Sequence, residues 1–78
     1  MNKVPWNRVV LDEFVSLALL SEQEEKILRT RAAGWSQIKQ SMVLGISTAT
    51  LTRRIQRLKE KYEAVLPYSS ILPKNIDF

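Results

Sequence analysis

The 78-residue chain predicts an all-α domain of four helices, residues 1–66, followed by an extended C-terminal tail, residues 67–78. Three observations carry that expectation. Apolar residues recur three and four positions apart in four successive segments. Capping residues, two glycines and a proline separate those segments. No segment alternates apolar and polar residues with the turn chemistry of a strand.

The first helix can open at Pro5 or Asn7 and runs to about Leu19, with Val10, Phe14, Leu17 and Ala18 on one face. Ser21 to Glu24 reads "SEQE", a capping box in which the serine hydroxyl and the glutamate each satisfy a free backbone N–H of the other's end. The second helix starts there, turns Ile27, Leu28 and Ala32 inward and stops at Gly34, which tolerates left-handed backbone. Ser36 offers an N-cap for a short third helix, Gln37 to about Leu44, with Ile38, Ser41 and Met42 as inward candidates. Gly45 ends it. Ser47 caps a fourth helix that continues until Pro67. The tail, with two prolines and no helical period, is expected either to pack back through Tyr68, Ile71 and Leu72 or to stay mobile.

Composition narrows function. The chain has neither cysteine nor histidine, which removes thiolate chemistry and the commonest general base and metal ligand. Its eight acidic residues are scattered and it has no Gly-rich phosphate loop, so no enzyme and no cofactor are expected. The most apolar stretch, Val9 to Leu20, is broken by Asp12, Glu13 and Ser16, so no membrane contact is expected and the protein should be cytoplasmic. The net charge of +4 is unevenly spread. Residues 1–25 hold two cations and five acids, net −3, whereas residues 26–61 hold nine cations against Glu60 alone, net +8. A positive block of that size suits a polyanionic partner, nucleic acid above all.

The fourth helix shows how such a partner could be read. At 100° per residue, Leu51, Ile55, Leu58 and Tyr62 form a narrow stripe, and Ala49, Thr50, Thr52, Arg53, Gln56 and Arg57 point away from it. A short helix, a turn containing glycine, and a longer helix that begins with small polar residues and arginines make a helix-turn-helix, whose second helix enters the DNA major groove by its N-terminal end. Small side chains there let the backbone approach, and arginine on the next turn can pair with guanine O6 and N7. The same stripe, extended to Val65, also has heptad spacing, but over only about two heptads.

Residues 20–58, about half the chain, resemble the DNA-binding domain of LuxR/GerE-type regulators and, more distantly, the −35-reading domain of sigma factors. The likeness rests on Leu20-Ser21 before an acidic helix start, on Gly34-Trp35-Ser36, and on Leu44-Gly45-Ile46-Ser47. The chain departs from the family in its third helix. Gln40-Ser41 replaces an apolar-Ala pair, and Met42 and Val43 stand where polar residues are usual.

The resemblance implies that residues Thr48 to Arg57 supply the base-reading surface. Double-stranded DNA is accordingly the expected partner, in transcriptional regulation by a stand-alone protein, with a mobile element or a phage-like source as the two origins left open. Thr48, Ala49, Thr50, Arg53, Gln56 and Arg57 are expected at base edges, and Ser36, Gln37, Lys39, Thr52, Arg54 and Lys61 at phosphates. Trp6 and Trp35 are expected to pack rather than to stack on bases. Two other readings remain open: an adaptor in DNA packaging or recombination, and a protein-interaction module that binds RNA polymerase or a sigma factor. The apolar first helix exceeds what one core can cover, with Leu11, Val15 and Leu19 left over, so a homodimer or a partner contact through that helix is also expected.

Overall fold

In the computed structural model, residues 6–74 are described, and among them the fold is all-α without a strand. Helix α1 spans Arg8–Ala18, α2 Glu22–Ala32, α3 Gln37–Leu44 and α4 Thr48–Val65, and a 3-10 turn, Leu66–Tyr68, follows. Each helix begins because a short polar side chain replaces the missing backbone acceptor. The oxygens of Asn7, Ser21, Ser36 and Ser47 accept from the amides of Val10, Glu24, Lys39 and Thr50 at 2.9, 3.2, 3.1 and 3.2 Å. The capping box is complete, with the Ser21 amide donating to the Glu24 carboxylate at 3.0 Å. Pro5, the other possible start of α1, lies outside the described residues.

The helices end by two devices. Gly34 and Gly45 take left-handed backbone, φ 91° and 68°, as a helix end requires and glycine permits. At the end of α1 the same conformation falls on Leu19, φ 51°, whose amide donates to the Val15 carbonyl. Pro67 ends α4 by diverting the chain into the 3-10 turn.

One core joins all four helices. Val10 and Phe14 of α1, Ile27 and Leu28 of α2, Ile46 of the α3–α4 turn, and Leu51, Ile55, Leu58 and Tyr62 of α4 are buried together. The apolar stripe of α4 therefore faces this domain's own core, which removes the coiled-coil reading of its spacing. Phe14 and Tyr62 meet edge to face at 5.1 Å between ring centres, and Trp6 lies 6.2 and 6.0 Å from them, so Trp6 packs.

Several expected positions change. In α3, Ile38 and Met42 point to solvent, and Gln40 is fully buried in their stead. The reason is a set of hydrogen bonds. Gln40 Nε2 donates to the Ile27 carbonyl at 3.0 Å and to Thr30 Oγ1 at 2.9 Å, so an amide fills the space that an apolar side chain was expected to fill. Ser41 is half-buried and its hydroxyl donates to the Ile46 carbonyl. In α1, Leu17 lies at the margin of the buried face and is partly exposed. Leu11 and Val15, expected to face away, pack against the core. Leu19 does face away. The tail returns through Leu72, which joins the core, and through Ser69, whose hydroxyl donates to Glu13 at 2.7 Å; Tyr68 and Ile71 stay exposed.

Candidate nucleic-acid interface

With Leu51, Ile55, Leu58 and Tyr62 held inward, the 100° turn per residue sets the rest of α4. Ala49, Arg53 and Gln56 lie directly opposite the buried stripe, and all three are exposed. Thr48 and Thr52 flank them on one side; Thr50, Arg54 and Arg57 flank them on the other. The structure thus brings Ala49, Arg53, Gln56 and Arg57 onto one solvent-facing side with half-buried Thr50 at its edge, whereas Thr48 and Arg54 lie nearer the buried stripe on opposite flanks. Glu60 falls on the same face two turns beyond Arg53 and puts a negative charge there. That charge makes the C-terminal half of this face less positive than the N-terminal half.

A shallow groove of about 270 Å³ runs along this flank, lined by Thr50, Arg53, Arg54 and Arg57. Among the described residues none of these three guanidiniums has a carboxylate partner. The cations closer to the N-terminus behave differently. Arg8 pairs with Asp12 at 3.9 Å, Lys26 with Glu22 at 3.7 Å, and Arg29 with Asp12 and Glu25 at 2.9 and 2.7 Å. The hydrogen bonds to Asp12 and Glu25 hold the Arg29 guanidinium above its ordinary pKa. Three unpaired, closely placed arginines repel one another, and an anion laid over them relieves that repulsion.

The expected phosphate contacts separate into two groups. Gln37 and Thr52 meet where α3 begins against the first turns of α4, while Ser36 caps α3 and Lys39, two residues on from Gln37, turns to another side of that helix. Gln37 Nε2 donates to Thr52 Oγ1 at 2.8 Å, and that hydroxyl donates to the Thr48 carbonyl at 2.9 Å, so one chain of bonds fixes the start of α3 to α4. The Lys39 ammonium sits 4.3 Å from the centre of the Trp35 ring, which holds an exposed cation in place. Trp35 therefore packs on Lys39 as a platform.

Lys61 belongs to the scaffold instead. Its ammonium donates to both carboxylate oxygens of buried Glu24 at 2.9 and 2.7 Å, tying α4 to the start of α2. Burial pushes the Glu24 carboxyl up, but the Lys61 ammonium and the Ser21 amide and hydroxyl outweigh it and hold the carboxyl below its ordinary value. Burial also raises the Tyr62 phenol, which donates to the Pro73 carbonyl.

Sequence reasoning missed Gln40, which positions α3, and Glu24, the partner of Lys61. The departure at Gln40-Ser41 was the one available signal for the first; a glutamate inside a capping box gives none for the second. Among the described residues no group of side chains could hold a metal ion, and no helix is long and apolar enough to cross a membrane. No family model matches the chain, and no curated protein or solved structure matches it.

Proposed function

We propose that the protein is a double-stranded DNA-binding domain of the LuxR/GerE helix-turn-helix type that acts in transcriptional regulation in the cytoplasm. The observation that carries this reading is the groove of three arginines on α4, none of which has a carboxylate partner among the described residues. In this reading α4 enters the major groove with Thr48 and Ala49 leading. Their small side chains allow close approach, while Arg53, Gln56 and Arg57 reach base edges with Thr50 beside them. Arg54, Ser36, Gln37, Lys39 and Thr52 meet phosphates on either side of the groove and set the register.

The test separates reading from positioning. Fragments selected from random duplex define the preferred site, and variants are then titrated against that site and its single-base changes. Arg53→Ala is expected to cost about 1–3 kcal/mol on the preferred site and to flatten the preference at one base position. Lys39→Ala is expected to weaken all sequences alike and to make the salt dependence shallower by about one phosphate. Retention of full base preference by Arg53→Ala would overturn the assignment of the reading face.

A further inference from the structure

The turn between α3 and α4 is fastened from a single residue. Ile46 is buried, and Ser41 on the last turn of α3 binds both of its backbone polar groups. The Ile46 amide donates to the Ser41 carbonyl at 3.1 Å, and the Ser41 hydroxyl donates to the Ile46 carbonyl. A turn residue lies outside both helical ladders, so its polar groups need partners of this kind.

The bonds continue into α4. Ser47, the next residue, accepts from the Thr50 amide at 3.2 Å and donates to the Thr50 hydroxyl at 2.9 Å. Thr50 lines the groove with Arg53, Arg54 and Arg57. An unbroken path of covalent and hydrogen bonds therefore runs from Ser41 through Ile46 and Ser47 to that groove. One turn earlier on α3, and on the same side of it, Gln37 donates to Thr52 at 2.8 Å, so α3 holds the first turns of α4 from both its beginning and its end. The far half of α4 is held separately, by Lys61 on Glu24.

We propose that Ser41 is a positioning residue for base reading: its hydroxyl, through the Ile46 carbonyl, sets the direction in which α4 leaves the turn and so the place of Arg53 and Arg57 at base edges. Ser41 itself touches no base, and its role rests on the DNA reading of α4. Distance dependence decides what its loss changes. A bidentate pair between guanidinium and guanine needs donor–acceptor distances of about 2.7–3.2 Å and near-linear geometry, so a shift of roughly 1 Å at the start of α4 breaks it. Attraction between a cation and a phosphate falls only inversely with distance, and long arginine and lysine side chains follow a shift of that size. Ser41 therefore controls discrimination among sequences and leaves the general attraction to duplex alone. Its loss weakens several base contacts together, whereas Arg53→Ala flattens one position.

Titration of the wild type, Ser41→Ala and Ser41→Thr against the preferred duplex, its single-base changes and random duplex, over a range of salt, tests the proposal. Alanine is the best helix former and position 41 is half-buried, so Ser41→Ala is expected to keep the fold, which thermal unfolding checks. Ser41→Ala is expected to lower the ratio of preferred to random affinity about tenfold, the size of one base contact spread over several positions. Random-duplex affinity and the salt slope are expected to stay as in the wild type. Threonine keeps the hydroxyl, so Ser41→Thr is expected to restore the ratio. An unchanged ratio in Ser41→Ala, a ratio left equally low by Ser41→Thr, a loss confined to one base position, or a matching fall in random-duplex affinity would each overturn the proposal. A wild type that prefers no sequence would instead remove the DNA reading itself, and the role of Ser41 with it.

Discussion

Helices α3 and α4 lie side by side and place their polar residues on opposite sides. In α4 the apolar stripe is inside and the arginines are outside, so its 18 residues are held chiefly by area removed from water. In α3 a glutamine is the fully buried residue and isoleucine, methionine and valine are outside, so its eight residues are held by directed bonds. Those bonds are the Ser36 cap, the Gln37–Thr52 bond, the Gln40 amide on α2 and the Ser41–Ile46 bond. A short helix can be oriented chiefly by hydrogen bonds when its buried donors have acceptors, with Leu44 as an apolar contact to the core, which leaves Ile38, Met42 and Val43 exposed.

Paired core variants break that comparison most strongly. Leu51→Ala is expected to destabilise by about 3 kcal/mol, since it opens a cavity at a fully buried position and a domain of this size has only a few kcal/mol to lose. Gln40→Leu, equally buried, is expected to change stability by less than about 1.5 kcal/mol. It removes the Gln40 Oε1 atom, which has no partner among the described residues, and leaves no donor stranded, because Thr30 Oγ1 still donates to the Lys26 carbonyl at 2.7 Å. Chemical denaturation of both variants measures the contrast. A Gln40→Leu loss as large as that of Leu51→Ala would show that the amide bonds do far more than position α3.

A smaller effect sharpens the account of what anchors the C-terminal half of α4. Because the folded Glu24 carboxyl lies below its ordinary value, it contributes stability above the unfolded glutamate value of about 4.3, and that contribution is lost as pH falls through the lowered folded value. Lys61→Ala is expected to cost about 1–2 kcal/mol at neutral pH and to move the Glu24 pKa up, so acid unfolding begins at higher pH. Glu24→Gln is expected to flatten the acid limb. Unfolding curves from pH 2 to 7, a range of about five units around that value, read both changes.

What the sequence made legible follows the same division. All four helices, their serine caps and both glycine stops could be read locally, because a cap and its amide lie three residues apart, whereas the first helix's start stayed open between Pro5 and Asn7. The stripe of α4 was equally plain. The orientation of α3 was not legible, because the groups that satisfy Gln40 belong to α2, 10 and 13 residues upstream. Lys61 carried the same charge signal as Arg53, and only its partner 37 residues away in α2 distinguishes a scaffold cation from a free one. The left-handed Leu19 had no signal at all, since glycine or asparagine is the residue that marks such a site.

The central claim is that the unpaired cations of α4 and the start of α3 lie against phosphates and bases, and a salt titration of binding to random-sequence duplex tests it most directly. With about five phosphates neutralised, the logarithm of the binding constant is expected to fall against the logarithm of salt concentration with a slope of about −4 to −5. A protein with no affinity for duplex at low salt, or with an affinity that salt does not change, would contradict the account.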